Sequence, residues 1–501
     1  MFAKFSLLVF LSTLISLHST FAIEKNFLPK KPIAVRNRLR GLFGPNEVLP
    51  PIKDNFSMLT YMEQRKNQPM FMQSTDPSTL KMGAIPKDRF DIDLMPRFPK
   101  SIASVFSGKI DGKEVIFTPV HPQNQDDSVL GMDIINQPNP PQNTIRDLTY
   151  QNLASRSKLA LGLGLRGPIF GLKMATDHIL PTICQPGKMD LTGELCYSID
   201  YSKYFNKKDL LIGKDPSFDL IREKGVYRLK TDPDEDVKGF IIRDMKLLQN
   251  GDVYIPAFSI PYVGRNLANY HGKDFKDYWY ENYAYPLGQA KAKLALRYGM
   301  QMLTPNSQNI LLRFDQDLKF KGIVFRDITD NHFLSPIMDV VDPQNELYQS
   351  EKENNDIKKY LFPYSSNSTW KFDEAPGELR VDSKTVDFWD QGQCQGYLDT
   401  FNEVLGTKLE PLPAKSDPQI TEYKQIITDE KHHYKGVGSE EDLRFIVPIF
   451  KYLQTEIGQK KLKNYHQELI MKAKIEKGRN KRGREEIANE PGRKLPKILS
   501  R

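Results

Sequence analysis

Apolar and polar positions fall along this chain in three patterns, each predicting a different kind of element. Short apolar runs with alternation predict strands. Residues 108–122, "GKIDGKEVIFTPVHP", read as a hairpin with Asp111-Gly112 at the turn and Val115 to Phe117 opening the second strand. Strand-like runs follow at Ile169 to Ile179, 226–230, 239–245 and 252–258. Two more, Ile310 to Phe314 and Gly322 to Phe325, are joined by a polar turn. Helical spacing is clearest over 273–300, where Phe275, Trp279, Tyr283, Leu287, Ala290 and Leu294 recur three or four apart and Gly299 supplies a stop. Residues 439–457 predict another helix, opened by a capping-box-like Ser439 to Asp442 arrangement. A polar stretch near 343–357 predicts a mobile connection, and the C-terminal third alternates helices and loops.

The third pattern is an unbroken apolar stretch, Phe5 to Leu17, behind Lys4 and ahead of Thr20-Phe21-Ala22. That arrangement predicts a secretory signal peptide cleaved after Ala22. Lys25, Lys30, Lys31, Arg36, Arg38 and Arg40 follow it, a flank that resists translocation. Export to a periplasm or beyond is nevertheless the expectation. No other stretch is long and apolar enough to span a bilayer.

Composition adds less. A chain of 501 residues with 39% hydrophobic and 27% charged content is globular and long enough for roughly three domains. The expected division is 1–22 signal peptide, 23–107 N-terminal region, 108–270 central region, 271–470 C-terminal region and 471–501 basic tail. Between 472 and 501 stand 11 Lys/Arg against 4 Glu, which accounts for nearly all of the net charge of +8. Such a tail is solvated or touches an acidic surface, and nothing else points to nucleic acid. Cys184, Cys196 and Cys394 are odd in number and lack a CxxC, which argues against a zinc site or disulfide framework. A Cys184–Cys196 bridge stays open for an exported chain.

Candidate chemistry begins with "TPNSQNILLRFDQDLKFKGIVFRD", residues 304–327. If its two apolar runs pair, Asn306 and Asn309 at one end meet Arg326-Asp327 at the other. Asn and Asp oxygens suit Mg²⁺, which keeps one or two such ligands and takes the rest from water and phosphate. A surface hairpin is the bland alternative. Gly162, Gly164 and Gly167 match the letters of G-x-G-x-x-G, but Pro168 and the strand-like run behind it exclude a dinucleotide-fold helix. Lys173 and Thr176 stand on the strand-like run 169–179; a strand lysine holds phosphate or carboxylate as a point charge, or simply snorkels at a sheet edge. His121 sits between two prolines, and no other histidine has metal-site spacing.

In chain order these pieces resemble the NRPS-independent siderophore synthetases of the aerobactin-synthetase (IucA/IucC) type, over roughly residues 110–335. His121-Pro122 stands at the family's HPWQ site, with Gln123-Asn124 in place of Trp-Gln. Ser155, Arg156 and Ser157 are the nearest match to S-x-R-T, Lys173 in "FGLKM" matches the strand lysine, and Trp279 and Tyr283 match W-x-x-x-Y. Gln308, Asn309 and "ILL" match the end of E-A-H-G-Q-N-x-L-L, and Arg326-Asp327 the closing R-D. Two departures stand out: Thr304 replaces the family's Glu, and Asn306 its phosphate-contacting His.

The resemblance implies an α+β, hand-shaped fold with central mixed and antiparallel sheets and a helical C-terminal part. It implies ATP and Mg²⁺, and a ligase that adenylates a polycarboxylate such as citrate and passes the acyl group to an amine or hydroxylamine. Lys173, Arg156 and His121 would serve catalysis. Ser155, Ser157, Lys173, Thr176, Asn306, Asn309 and Arg326 would hold nucleotide, and Asn309 and Asp327 would hold metal. A second copy of the chain is a further expected partner. An exported, non-enzymatic relative binding a siderophore-like ligand is the alternative. A kinase-like phosphotransferase comes last, since no H-x-D acid accompanies "NILL".

Overall fold

The computed structural model describes residues 41–43, 55, 58–59, 62, 80–90, 107–119, 135–137, 147–149, 170–174, 192–228, 239–244, 247, 250–302, 307–326, 328, 331–361, 380–428 and 440–488. The fold is α+β, with small sheets in the first two thirds and helices dominating the last.

The first sheet is formed by β1 (Leu80–Pro86), β2 (Ser107–Ile110), β3 (Lys113–Pro119) and β4 (Ile135–Gln137), in the order β2-β3-β1-β4. The predicted hairpin over 108–122 is its β2–β3 pair. Asp111 and Gly112 both take positive φ, 49° and 80°, the turn whose twist matches that of the flanking strands.

Next come β5 (Asp147–Thr149), β6 (Phe170–Met174), helix α1 (Thr192–Ile212), β7 (Phe218–Leu220), β8 (Arg222–Arg228) and β9 (Gly239–Asp244). Strands β5-β6-β9-β8 make a second, antiparallel sheet. A third sheet, β10-β12-β13-β7, uses β10 (Val253–Pro256), β12 (Ile310–Phe314) and β13 (Phe320–Phe325), and its β13–β7 pair is parallel. Only Ile221 separates β7 from β8, and its N–H donates to the Phe325 carbonyl at 2.8 Å. One residue thus carries the chain from the third sheet into the second.

The helix expected over 273–300 forms in three pieces: α3 (Phe275–Trp279), a π turn (Tyr280–Ala284) and α4 (Tyr285–Tyr298), after α2 (Ile260–Tyr270). Asp274 caps it by accepting from the N–H of Lys276. The wider turn stands just before Pro286, which has no N–H to give the preceding turn. Gly299 ends the helix in the left-handed conformation, φ 64°.

A two-stranded pair follows, β11 (Met300–Met302) with β14 (Asn331–Phe333), then α5 (Ser335–Val341) and α6 (Glu346–Glu353). The stretch near 343–357 is therefore not simply a connection. Asn345 caps α6, and Tyr348 and Glu351, one turn apart, are both buried, so the polar run hides an inward face. The remaining helices are α7 (Ser383–Leu405), α8 (Pro418–Thr428), α9 (Glu440–Leu453) and α10 (Glu456–Ala488). In α9, Asp442 is buried and accepts from the Cys394 thiol at 3.4 Å; Ser439 lies outside the described residues.

Helix α4 packs hardest, against α7. A Cβ on Gly288 would lie 1.9 Å from the Gln393 carbonyl oxygen, and one on Gly396 2.3 Å from that of Tyr285. Two glycines thus let the backbones touch. Leu287, Ala290 and Leu294 of α4 join a large core with Trp279, Trp389 and the third sheet. Ala292, Ala295 and Leu296 join a helical core with α7, α8 and α9.

Candidate functional site

The β12–β13 hairpin runs in register from Ile310↔Phe325, and one step beyond it the Arg326 N–H donates to the Asn309 carbonyl at 2.9 Å. Both residues are buried, 1% and 3% exposed. A second ladder, β11 with β14, pairs Met302 with Asn331. The chain therefore leaves one ladder at 302 and 331 and enters the next at 309 and 326. Asn306 and Asp327 belong to the two connecting segments but lie outside the described residues.

Three further polar residues are buried around these ladder ends: Gln301 on β11, Ser307 in the turn ahead of β12, and Asn331 on β14. Asn331 donates its amide to the Ile328 carbonyl at 2.8 Å, but among the described residues its Oδ1 has no hydrogen-bond partner, and neither has the Ser307 hydroxyl. Leaving such groups unmet costs roughly 1–3 kcal/mol each, so each takes a partner from beyond the described residues, from water or from a ligand. Sequence reading passed over all three. Their signal was a polar residue at a strand-end position expected to be apolar, which is visible only once the ladders fix burial.

Lys173 stands on β6, with Asp147 of β5 and Ile241 of β9 as its cross-strand neighbours; its side chain lies outside the described residues. Two positions earlier, Gly171 aligns with Arg243, which aligns with Glu223 of β8. Arg243 Nε donates to Glu223 Oε1 at 3.2 Å, and both are about 1% exposed. A buried ion pair thus lies two register rows from Lys173, which stands on a central strand and not at a sheet edge. Lys173 and Asn309 stand on different sheets, linked through Ile221.

Of the other predicted residues, His121, Ser155, Arg156, Ser157 and Thr176 lie outside the described residues, as do Cys184 and the glycines 162–167. Trp279 and Tyr283 are wholly buried, with the Trp279 indole donating to the Gly264 carbonyl at 3.2 Å, so both serve the core. Among the described residues no three His, Cys, Asp or Glu side chains group to hold a metal. No described helix is long and apolar enough to cross a membrane.

Two strongly shifted charged groups belong to other elements. Burial pushes Glu351 up to about 8 and lowers Lys291 to about 8, where Cys394, Asp390 and Asp442 oppose the change. The Lys291 ammonium donates to Gln393 Oε1 at 2.8 Å across the α4–α7 contact. Lys291 thus ties α4 to α7.

The fold and this polar corner define an α+β protein with small sheets and a helical C-terminal part. No family model matches the sequence, and no curated protein matches it. Among solved structures the chain is similar to aerobactin synthetase IucA from a hypervirulent pathotype of Klebsiella pneumoniae, with 13% identity and a TM-score of 0.40, over 66% of this chain and 64% of that one. The ATP-bound form of that enzyme aligns with a TM-score of 0.41. Aerobactin synthetase IucC from the same source aligns at 12% identity, TM-score 0.43, over 73% and 70% of the two chains. Petrobactin biosynthesis protein AsbB from Bacillus anthracis aligns at 14%, TM-score 0.41, over 68% and 62%. The chain spans slightly under two thirds of the length of IucA. At these identities and TM-scores the alignments assign this chain neither a reaction nor a substrate.

Proposed function

We propose that the chain is an ATP-dependent carboxylate–amine ligase of siderophore-synthetase type. A carboxylate oxygen of a polycarboxylate such as citrate displaces pyrophosphate from ATP. The nitrogen of an amine or hydroxylamine then displaces AMP from the acyl carbon, forming an amide and releasing a proton. The observation that carries this reading is the meeting of Asn309 and Arg326 at the ends of two antiparallel strands, as the motif order requires.

The residues present suit phosphate. Arg326 contributes a cation within a buried polar corner, where charge acts through a lower dielectric, and the Ser307 hydroxyl there has no partner among the described residues. Lys173 would add a second cation from the neighbouring sheet, with Arg156, Ser155, Ser157, Thr176 and His121 assigned by resemblance alone. Asn309 and Asp327 would hold Mg²⁺, whose part is to neutralise phosphate charge. Asn306 favours a second reading, a relative that keeps the fold and binds a polycarboxylate without turnover: an Asn donates a hydrogen bond but carries no positive charge.

Thermal melting of the purified chain with ATP and Mg²⁺, beside Lys173→Ala, tests both. Ligand at a hundredfold excess over Kd stabilises the folded state by about 2.7 kcal/mol. The ligase reading expects a shift that Lys173→Ala removes, together with pyrophosphate release in the presence of citrate and hydroxylamine. A shift with citrate and none with ATP selects the binding protein.

A further inference from the structure

Helix α10 crosses the end of α1: the Lys477 ammonium donates to the Leu210 carbonyl, and Gly213 lies against Ala473. Leu462, His466, Leu469 and Ala473 form the buried face of α10. Its other side is not simply polar. Met471 and Ile475, one turn apart, are 61% and 52% exposed, and at the end of α1 Leu210 and Leu211 are 67% and 44% exposed. These are four of the seven large apolar side chains exposed among the described residues, and all stand on the two helices at this crossing.

Basic residues surround them. Lys472, Lys474, Lys477 and Arg479 are exposed on the same turns. From 472 to 484 the sequence has seven Lys/Arg and one Glu. A soluble polyanion would satisfy the cations and leave the apolar groups in water. A lipid surface offers both an anionic headgroup layer and hydrocarbon directly beneath it.

We infer that the α1–α10 crossing is a docking face for an anionic lipid surface. Leu210, Leu211, Met471 and Ile475 enter the headgroup boundary while Lys472, Lys474 and Arg479 engage lipid phosphates. Neither contribution alone holds the chain there.

Vesicle flotation with the full chain tests this, comparing phosphatidylcholine with phosphatidylcholine containing phosphatidylglycerol. The parent is expected to bind the anionic vesicles at least about tenfold better. Met471→Glu with Ile475→Glu, and separately Lys472→Glu with Lys474→Glu, are each expected to lose about tenfold in binding with melting temperatures unchanged, since all four positions are exposed. Equal binding to neutral vesicles, or variants that bind like the parent, would overturn the inference. The first outcome would assign binding to apolar residues 5–17, and the second to those residues or to diffuse charge. Binding to duplex DNA that outlasts the Met471/Ile475 changes, with no vesicle binding, would overturn it in favour of a nucleic-acid face.

Discussion

Glu351 shows how much a single buried charge decides. An ordinary glutamate ionises near 4.5, and burial in α6 raises this one to about 8, the Tyr201 hydroxyl opposing and Asp356 adding. Between those values the folded chain keeps a proton that the unfolded chain has released. Stability from this group therefore falls as pH rises from 4.5 and levels off above about 8. Glu351→Gln keeps the shape without the charge. It should match the parent near pH 4.5 and exceed it at pH 8 by on the order of 3 kcal/mol, read from urea melts at both pH values. His466, lowered to about 4 mainly by burial, pulls the other way below 6.5, and comparing variant with parent cancels it. At this scale Asn309 and Arg326 were legible because a short hairpin must return its ends to one place. Ser307, Asn331 and Glu351 were not, because polarity along a chain says nothing about depth.

Among elements, the α4–α7 contact is set by backbone and not by side-chain bulk. Gly288→Ala would drive a methyl into the Gln393 carbonyl and should cost about 3 kcal/mol or more. Gly478→Ala, in α10 with no atom within 4 Å of its Cβ position, should gain about 0.8 kcal/mol. Denaturant melts of the two single variants should show opposite signs. Strand runs at 239–245 and 252–258 were readable as short apolar stretches, and they form as Gly239–Asp244 and Val253–Pro256. Helix α6 was not readable, because eight residues with two inward positions give a faint periodicity beside charged neighbours.

In the whole molecule, α4 is shared: one side belongs to the core containing Trp279 and the other to the helical core containing Cys394. A shared helix couples the two. In a Cys184→Ser/Cys196→Ser chain, labelling of the buried Cys394 thiol should become fast at the denaturant concentration where tryptophan fluorescence shifts. Two separated midpoints would show that the cores open independently.

The sequence by itself determined the strands and helices with strong period, the hairpin turn at Asp111-Gly112, and the order of the motif residues. Each of these is local: side-chain spacing and backbone preference act within a few residues. Tertiary structure alone decided that Trp279 and Tyr283 are core, that Lys173 stands on a central strand two rows from a buried ion pair, and that Ser307 and Asn331 are buried polar residues at the ends of two ladders. Burial and cross-strand neighbours come from pairings between residues far apart in the chain, and no local pattern encodes them.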